Sequence, residues 1–435
     1  MKRHYLWSLL IIGAFWIGQL ASSIPLLAED SVNGDDRKAI ETRILSLNTI
    51  TGNDVIRGEL RLLAKNENDA KKLIKVAYEM LKAAKASPSK DPNGPFNYTS
   101  ALIIGRIAQE FKEVKIAEEF YRVCVDDAFR LQSPSKAVQS FENLIDLTFL
   151  SKKYEECIKI CDEFLEIKTP NDARGDSPIS RSKLFILERK VQALARDGKL
   201  NEAKDITRKL MEADEGGWYF YQLLAFVQQE EGKLDDAAET YLDCIERLRK
   251  SRNTALKKDS RDKIARMLRY KLSGVYVDLK KIDKATSQLE SLVKEDPENS
   301  TYKNDLGYIL ADNNMKLDEA EKLVRQAIEI DRKKRKESDS ADDDKDNASY
   351  LDSLGWVLFK QKKYEEAKKY LKEAVDQREG RHVEIYDHLA EVLLALKDKS
   401  GAENALKLAL EADGQTKRDD DRKKEIKDKL KQLQK

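Results

Sequence analysis

From about residue 50 to residue 416, apolar side chains recur at three- and four-residue steps, in runs interrupted by short polar turns. That period places them along one face of a helix. One clear case runs Asn304-Asp305-Leu306-Gly307-Tyr308 and then Asp318-Glu319-Ala320. Another runs Leu351-Asp352-Ser353-Leu354-Gly355-Trp356 and then Tyr364-Glu365-Glu366-Ala367. Each predicts an amphipathic helix, a tight turn and a second amphipathic helix. Proline placement agrees. None of the 8 prolines falls inside a proposed helix, where one would cost about 3 kcal/mol. Gly198 and Gly232 fall in the proposed turns, where left-handed backbone is expected.

The pattern repeats in register. A small residue of the second helix recurs at Ala70, Ala117, Cys157, Ala203, Ala237, Ala285, Ala320, Ala367 and Ala402. A partner position lies twelve residues upstream, at Gly58, Gly105, Ile145, Val191, Ala225, Ser273, Gly355 and Ala390; Gly307 lies thirteen upstream of Ala320. Seven residues after each marker come Ala77, Cys124, Phe164, Leu210, Cys244, Leu292, Ala327, Ala374 and Ala409. Small residues at such sites let two helices cross closely. Ile145 and Val191 fit least well. The register also accounts for the cysteines. Cys124, Cys157 and Cys244 occupy its packing positions and Cys161 lies on the same face as Cys157, so buried free thiols are expected. A metal clip at Cys157 and Cys161 would need two further ligands, and the histidines are only His4, His382 and His388.

This pattern resembles the tetratricopeptide repeat (TPR), and the tandem Leu-Gly-Tyr and Leu-Gly-Trp units look most like exported bacterial TPR proteins. The resemblance implies an all-α, right-handed superhelical solenoid of about nine helix-turn-helix repeats over 50–416, its inner surface lined by first helices. Segment 29–49 is expected to cover one end. Segment 417–435 is expected to form a C-terminal capping helix, with Asp419-Asp420-Asp421 near its start and an apolar stripe of Ile426, Leu430 and Leu433. Most repeat intervals exceed the family period of 34. The excess falls at 86–97, 132–136, 169–180, 250–262 and 333–347, which predicts loops along one edge.

By the same resemblance, the residue after the small first-helix site faces the groove. That position runs Glu59, Arg106, Asp146, Gln192, Phe226, Gly274, Tyr308, Trp356 and Glu391. With Tyr270 and Phe359 one turn away, the aromatics Phe226, Tyr270, Tyr308, Trp356 and Phe359 form a candidate partner-binding groove. The competing reading is that they fill inter-repeat packing. Gly274 leaves a gap between rings into which a partner side chain could insert.

Residues 1–28 read as a signal peptide, with Lys2 and Arg3 before an apolar run at 6–20 and Glu29-Asp30 beyond the preferred cleavage point at Ala28. An uncleaved anchor is the alternative, although Pro25 interrupts the run and the run is short for a span. Export to the periplasm or cell envelope, or secretion, is therefore expected, with no membrane span after cleavage.

Composition narrows the rest. The chain has 435 residues, 80 Lys+Arg against 79 Asp+Glu, 41% hydrophobic residues and a mean hydropathy of −0.65. Those values exclude a multi-span membrane protein, and the balanced charge offers no global field for nucleic acid. A single core rarely grows past about 250–300 residues, so several domains or a repeat array are implied. The basic run 332–336 precedes the acidic run 339–346, which can neutralise it. Sequons at Asn97, Asn299 and Asn347 fall in inter-repeat loops, where chance occurrence is the default. No phosphate loop, H-E-x-x-H or G-x-S-x-G motif is present. His382 and His388 are expected to cap a helix or face solvent. No catalytic residue, metal or cofactor is expected. The expected function is a non-enzymatic scaffold that binds a protein or peptide in the groove, with a peptide-sensing or regulatory subunit as the alternative.

Overall fold

A computed structural model of the chain describes residues 34–87, 93–169, 175–214, 217–251, 256–337, 345–377, 380–412, 414 and 416–433. The expected signal segment 1–28 lies outside them. Among the described residues regular structure is helical, no strand forms, and no helix is long and apolar enough to cross a membrane.

Two compact units divide the chain near Asp197 and Gly198. The first holds α1 (Gly34–Ser46), α2 (Asn53–Ala64), α3 (Glu67–Lys85), α4 (Tyr98–Glu110), α5 (Val114–Arg130), α6 (Pro134–Leu150), α7 (Tyr154–Leu165) and α8 (Pro178–Arg196). The second holds α9 (Leu200–Ala213), α10 (Tyr221–Glu231), α11 (Leu234–Lys250), α12 (Lys258–Asp278), α13 (Ile282–Glu295), α14 (Ser300–Asp312) and α15 (Leu317–Glu337). It continues with α16 (Ala348–Lys360), α17 (Tyr364–Asp376), α18 (Val383–Ala395), α19 (Lys399–Glu411) and α20 (Lys417–Leu433). Within the units the packed pairs are α4/α5, α6/α7, α10/α11, α12/α13, α14/α15, α16/α17 and α18/α19. This is the all-α helix-pair array that the periodicity predicts.

The marker register explains the pairing. All nine marker residues, from Ala70 to Ala402, are fully buried. A Cβ on Gly355 would lie 2.6 Å from Leu371 Cγ and 3.2 Å from the Ala367 carbonyl; one on Gly307 would lie 2.8 Å from the Ala320 carbonyl. At both crossings the first-helix glycine lies against the marker residue's own backbone. Ile145 and Val191, although large, are also buried. The Cys157 thiol donates to the Ile145 carbonyl at 3.6 Å, and all four cysteines are free and buried. Burial pushes the Cys244 thiol up to about 12, and the Cys124 thiol also upward.

The turns share one device. In α16/α17 the Lys363 N–H reaches back to the Leu358 carbonyl at 2.9 Å, with Lys362 at φ +65 between them. Lys112, Lys152, Lys280 and Lys397 take the same left-handed position, as do Gly198 and Gly232. Starts are capped from the side: Asn97, Asn299 and Asn347 each accept backbone N–H groups of the helix that follows. The three sequons are thus helix N-caps. Pro134 and Pro178 occupy first helical positions, where the missing N–H costs nothing.

Three expectations change. The first proposed repeat does not pack as a pair, because α2 buries no residue and Gly58 is exposed. Instead α3 packs on α1, and Ile44 and Leu47 enter the core. The extra residues at 132–136 do not form an extended loop: Gln132 and Ser133 belong to a three-residue turn, and 134–136 are the first turn of α6. The run 332–336 is helical rather than a loop, and Arg332 and Arg335 both pair with Asp346. Much of the other expected edge loops lies outside the described residues.

The two glycine environments predict opposite effects. Gly355→Ala should destabilise by about 1–3 kcal/mol through overpacking. Gly58→Ala, on an exposed helical face, should be neutral or stabilising by up to about 1 kcal/mol. Denaturant titration of both variants checks the register, and equal effects would contradict it.

Candidate partner-binding face

In the second unit the first helices α12, α14, α16 and α18 converge on an inner face. One contact skips a repeat: the Tyr308 hydroxyl on α14 donates to Glu384 Oε1 on α18 at 2.7 Å. Four of the expected aromatics, Tyr270, Tyr308, Trp356 and Phe359, lie on these helices, and the three with a polar atom each donate to a carboxylate. Tyr270 Oη donates to Asp305 Oδ2 at 2.5 Å and Trp356 Nε1 to Asp312 Oδ1 at 3.0 Å. Trp356 is 8% exposed. Its ring stacks on Phe359 at 5.0 Å and on His388 at 4.0 Å, and the Lys360 ammonium lies 4.7 Å from its centroid. Tyr270, Tyr308 and Phe359 are half-buried, as is Phe226 on α10. The contacts that knit the stripe run from Tyr270 to Phe359. Trp356 is therefore largely a packing residue, and Tyr308 and Tyr270 keep partial access.

His388 departs from expectation. It is buried, with Nδ1 2.8 Å from Asp352 Oδ1. Burial opposes its charge, but the carboxylates of Asp352 and Glu384 outweigh that and raise its pKa above the usual 6.5. His382 caps α18 as expected, accepting the Glu384 N–H at 3.3 Å.

The remaining carboxylates of the face meet cations from α20. Arg418 donates to Asp278 Oδ1 at 2.6 Å and to the Gly274 carbonyl at 3.0 Å. Arg422 bonds Glu384 at 2.6 Å and Asp387 at 3.1 Å; Lys429 bonds Asp387 at 2.7 Å and Glu391 at 2.6 Å. Burial would raise the Glu384 carboxyl, but Arg422, His388 and the Tyr308 hydroxyl bring it down to about 2. The expected gap at Gly274 thus has its carbonyl engaged by this chain's own Arg418. A Cβ there would still meet no atom within 4 Å.

Three of the four polar groove positions of the first unit are also paired. Glu59 meets Arg43, and Arg189 bridges Asp146 at 3.0 Å and Gln192 at 2.9 Å. The residues not anticipated are the carboxylates Asp278, Asp305, Asp312 and Glu384 and the cations Arg418, Arg422 and Lys429. The three cations share one helical face at steps of four and seven, a signal overshadowed by the apolar stripe beside it.

Parts of the chain are similar to known proteins. Two family patterns, each described as a tetratricopeptide repeat, match residues 270–334 and 358–419. A TPR repeat-containing protein of Pseudomonas aeruginosa is 32% identical over 114 residues, 26% of this chain and 16% of that protein, so the match spans a small part of that relative. Among solved structures, a thermophilic TPR protein of Thermus thermophilus aligns with 49% of this chain and 99% of its own, at 16% identity and a TM-score of 0.37. A TPR protein of Parabacteroides merdae aligns with 57% of this chain and 98% of its own, at 15% identity and a TM-score of 0.36.

The His388–Asp352 pair makes stability depend on pH. Because the folded pKa is raised, its contribution is fully present below about pH 6.5 and fades as pH rises through the folded value. The native His388 ring signals should therefore titrate above 6.5, and Asp352→Asn should lower that midpoint. NMR titration checks this, and an unshifted midpoint would refute the charged pair.

Proposed function

We propose that this chain, a tetratricopeptide-repeat protein, is a non-enzymatic interaction scaffold of the cell envelope that holds a partner protein or peptide on the inner face of its last repeats. The observation that carries the reading is the convergence of α12, α14, α16 and α18, which ties the half-buried Tyr270 and Tyr308 to carboxylates and stacks Phe359 on Trp356. Half-buried rings flanked by fixed hydrogen-bonding groups suit an extended or helical peptide. Export rests on the basic start and apolar run of residues 1–28. A peptide-sensing subunit is the second reading, favoured by the engagement of the same face by α20.

Site-specific photocrosslinking in the native host tests the binding face. A Cβ at position 274 would meet no atom within 4 Å, and Lys407 is exposed on the second helix α19. A photoreactive residue at 274 should trap a discrete partner in the envelope fraction, and one at 407 should not. The reverse pattern would move the contact to the outer helices, and adducts confined to the cytosolic fraction would refute the envelope assignment.

A further inference from the structure

We propose that the inner face of α12, α14, α16 and α18 is a site for a basic amphipathic helix, and that α20 is its resident, displaceable occupant. The inference rests on the reading of this face as the partner site and adds the chemistry of the partner.

Charge complementarity carries the argument. Asp278, Glu384, Asp387 and Glu391 draw their ion pairs from α20, through Arg418, Arg422 and Lys429. Without α20 the face is a set of carboxylates lacking those cations. An acidic ligand would be repelled there, and a neutral one would leave desolvated charge unpaired. A helix with Arg or Lys at steps of four and seven restores each contact. α20 itself shows the pattern: its three cations lie on one face, with Ile426 and Leu430 buried just beside them.

A terminal cap alone does not explain these contacts. Covering the end of the array requires packing on α18 and α19, which Ile426 and Leu430 provide. Arg418 goes further and reaches Asp278 and Gly274 on α12, 140 and 144 positions upstream. That bridge runs across the face and engages the carbonyl beside the open space at Gly274. The apolar anchorage of α20 is small: Ile426 and Leu430 are buried and Leu433 packs partly. A foreign helix with the same cations and more apolar anchors would therefore take its place by exchange. Occupancy by α20 lowers the apparent affinity of such a helix by the fraction of time the face is open.

The test uses the full chain and two fluorescent peptides. One carries the sequence of residues 416–433; the other changes Arg418, Arg422 and Lys429 to Glu. Fluorescence anisotropy is read with wild-type protein and with the Arg418→Ala, Arg422→Ala double variant, after circular dichroism confirms its fold. The double variant should bind the basic peptide at least about tenfold more tightly than wild type does, weaken as salt is raised, and ignore the acidic peptide. If the double variant does not fold, Lys429→Ala should show the same order with a smaller gain. Adding Glu384→Gln and Asp387→Asn to the opened chain should remove binding of the basic peptide. An opened chain that binds neither peptide, or both equally, overturns the inference. So does a dimer by light scattering, which would make a second copy's α20 the occupant. Crosslinking at position 274 reports on the binding face independently, so the two readings fail separately.

Discussion

Asp387 is the constraint on which the last repeats turn. It is a carboxylate only 5% exposed on a first helix, and it receives both Arg422 and Lys429. A charge in that position needs a partner: removing one member of a buried pair costs about 3–5 kcal/mol, whereas exposed pairs contribute about 0–1 kcal/mol. The cations come from α20, so the placement of α20 follows from the charges on α18. Arg422 also reaches Glu384, which accepts the Tyr308 hydroxyl, and Tyr308 lies 6.0 Å from the His388 ring. His388 in turn stacks on Trp356. One network thus links α14, α16, α18 and α20 and fixes the face that a partner would meet.

A second, simpler constraint shapes the array as a whole. Helices cross closely where side chains are small, and the register of Ala and Gly is legible in the sequence because that geometry tolerates little else. Gly307 and Gly355 sit against partner backbone, and every marker is buried. The register misleads at Gly58 on α2, a helix that buries none of its residues. Periodicity alone cannot distinguish a small residue at a crossing from one facing solvent.

The candidate face was legible in part. Tyr270, Tyr308, Trp356 and Phe359 do gather on first helices, because helical spacing is a local property. What each ring touches is not local. Tyr308 and Glu384 are 76 positions apart, and Arg418 and Asp278 are 140 apart. Nothing in either segment alone marks the pair. The apolar stripe of α20 points to end packing, while its cations also engage the inner face. His388 followed the same course: a histidine near a helix start looks like a cap, and only the fold brings Asp352 and Trp356 against it.

The most direct measurement is a double-mutant cycle on Asp387→Asn and Lys429→Met, read through amide exchange of residues 417–433. If α20 is held to the inner face by charge, the two changes should be coupled by about 1–3 kcal/mol, within the range for residues in one ion-pair network. Each single change should also release α20 amides before the rest of the unit opens. Additive effects, coupled by less than about 0.3 kcal/mol, would show that apolar packing alone holds α20, and the charged face would lose its role as the organising element of the last repeats.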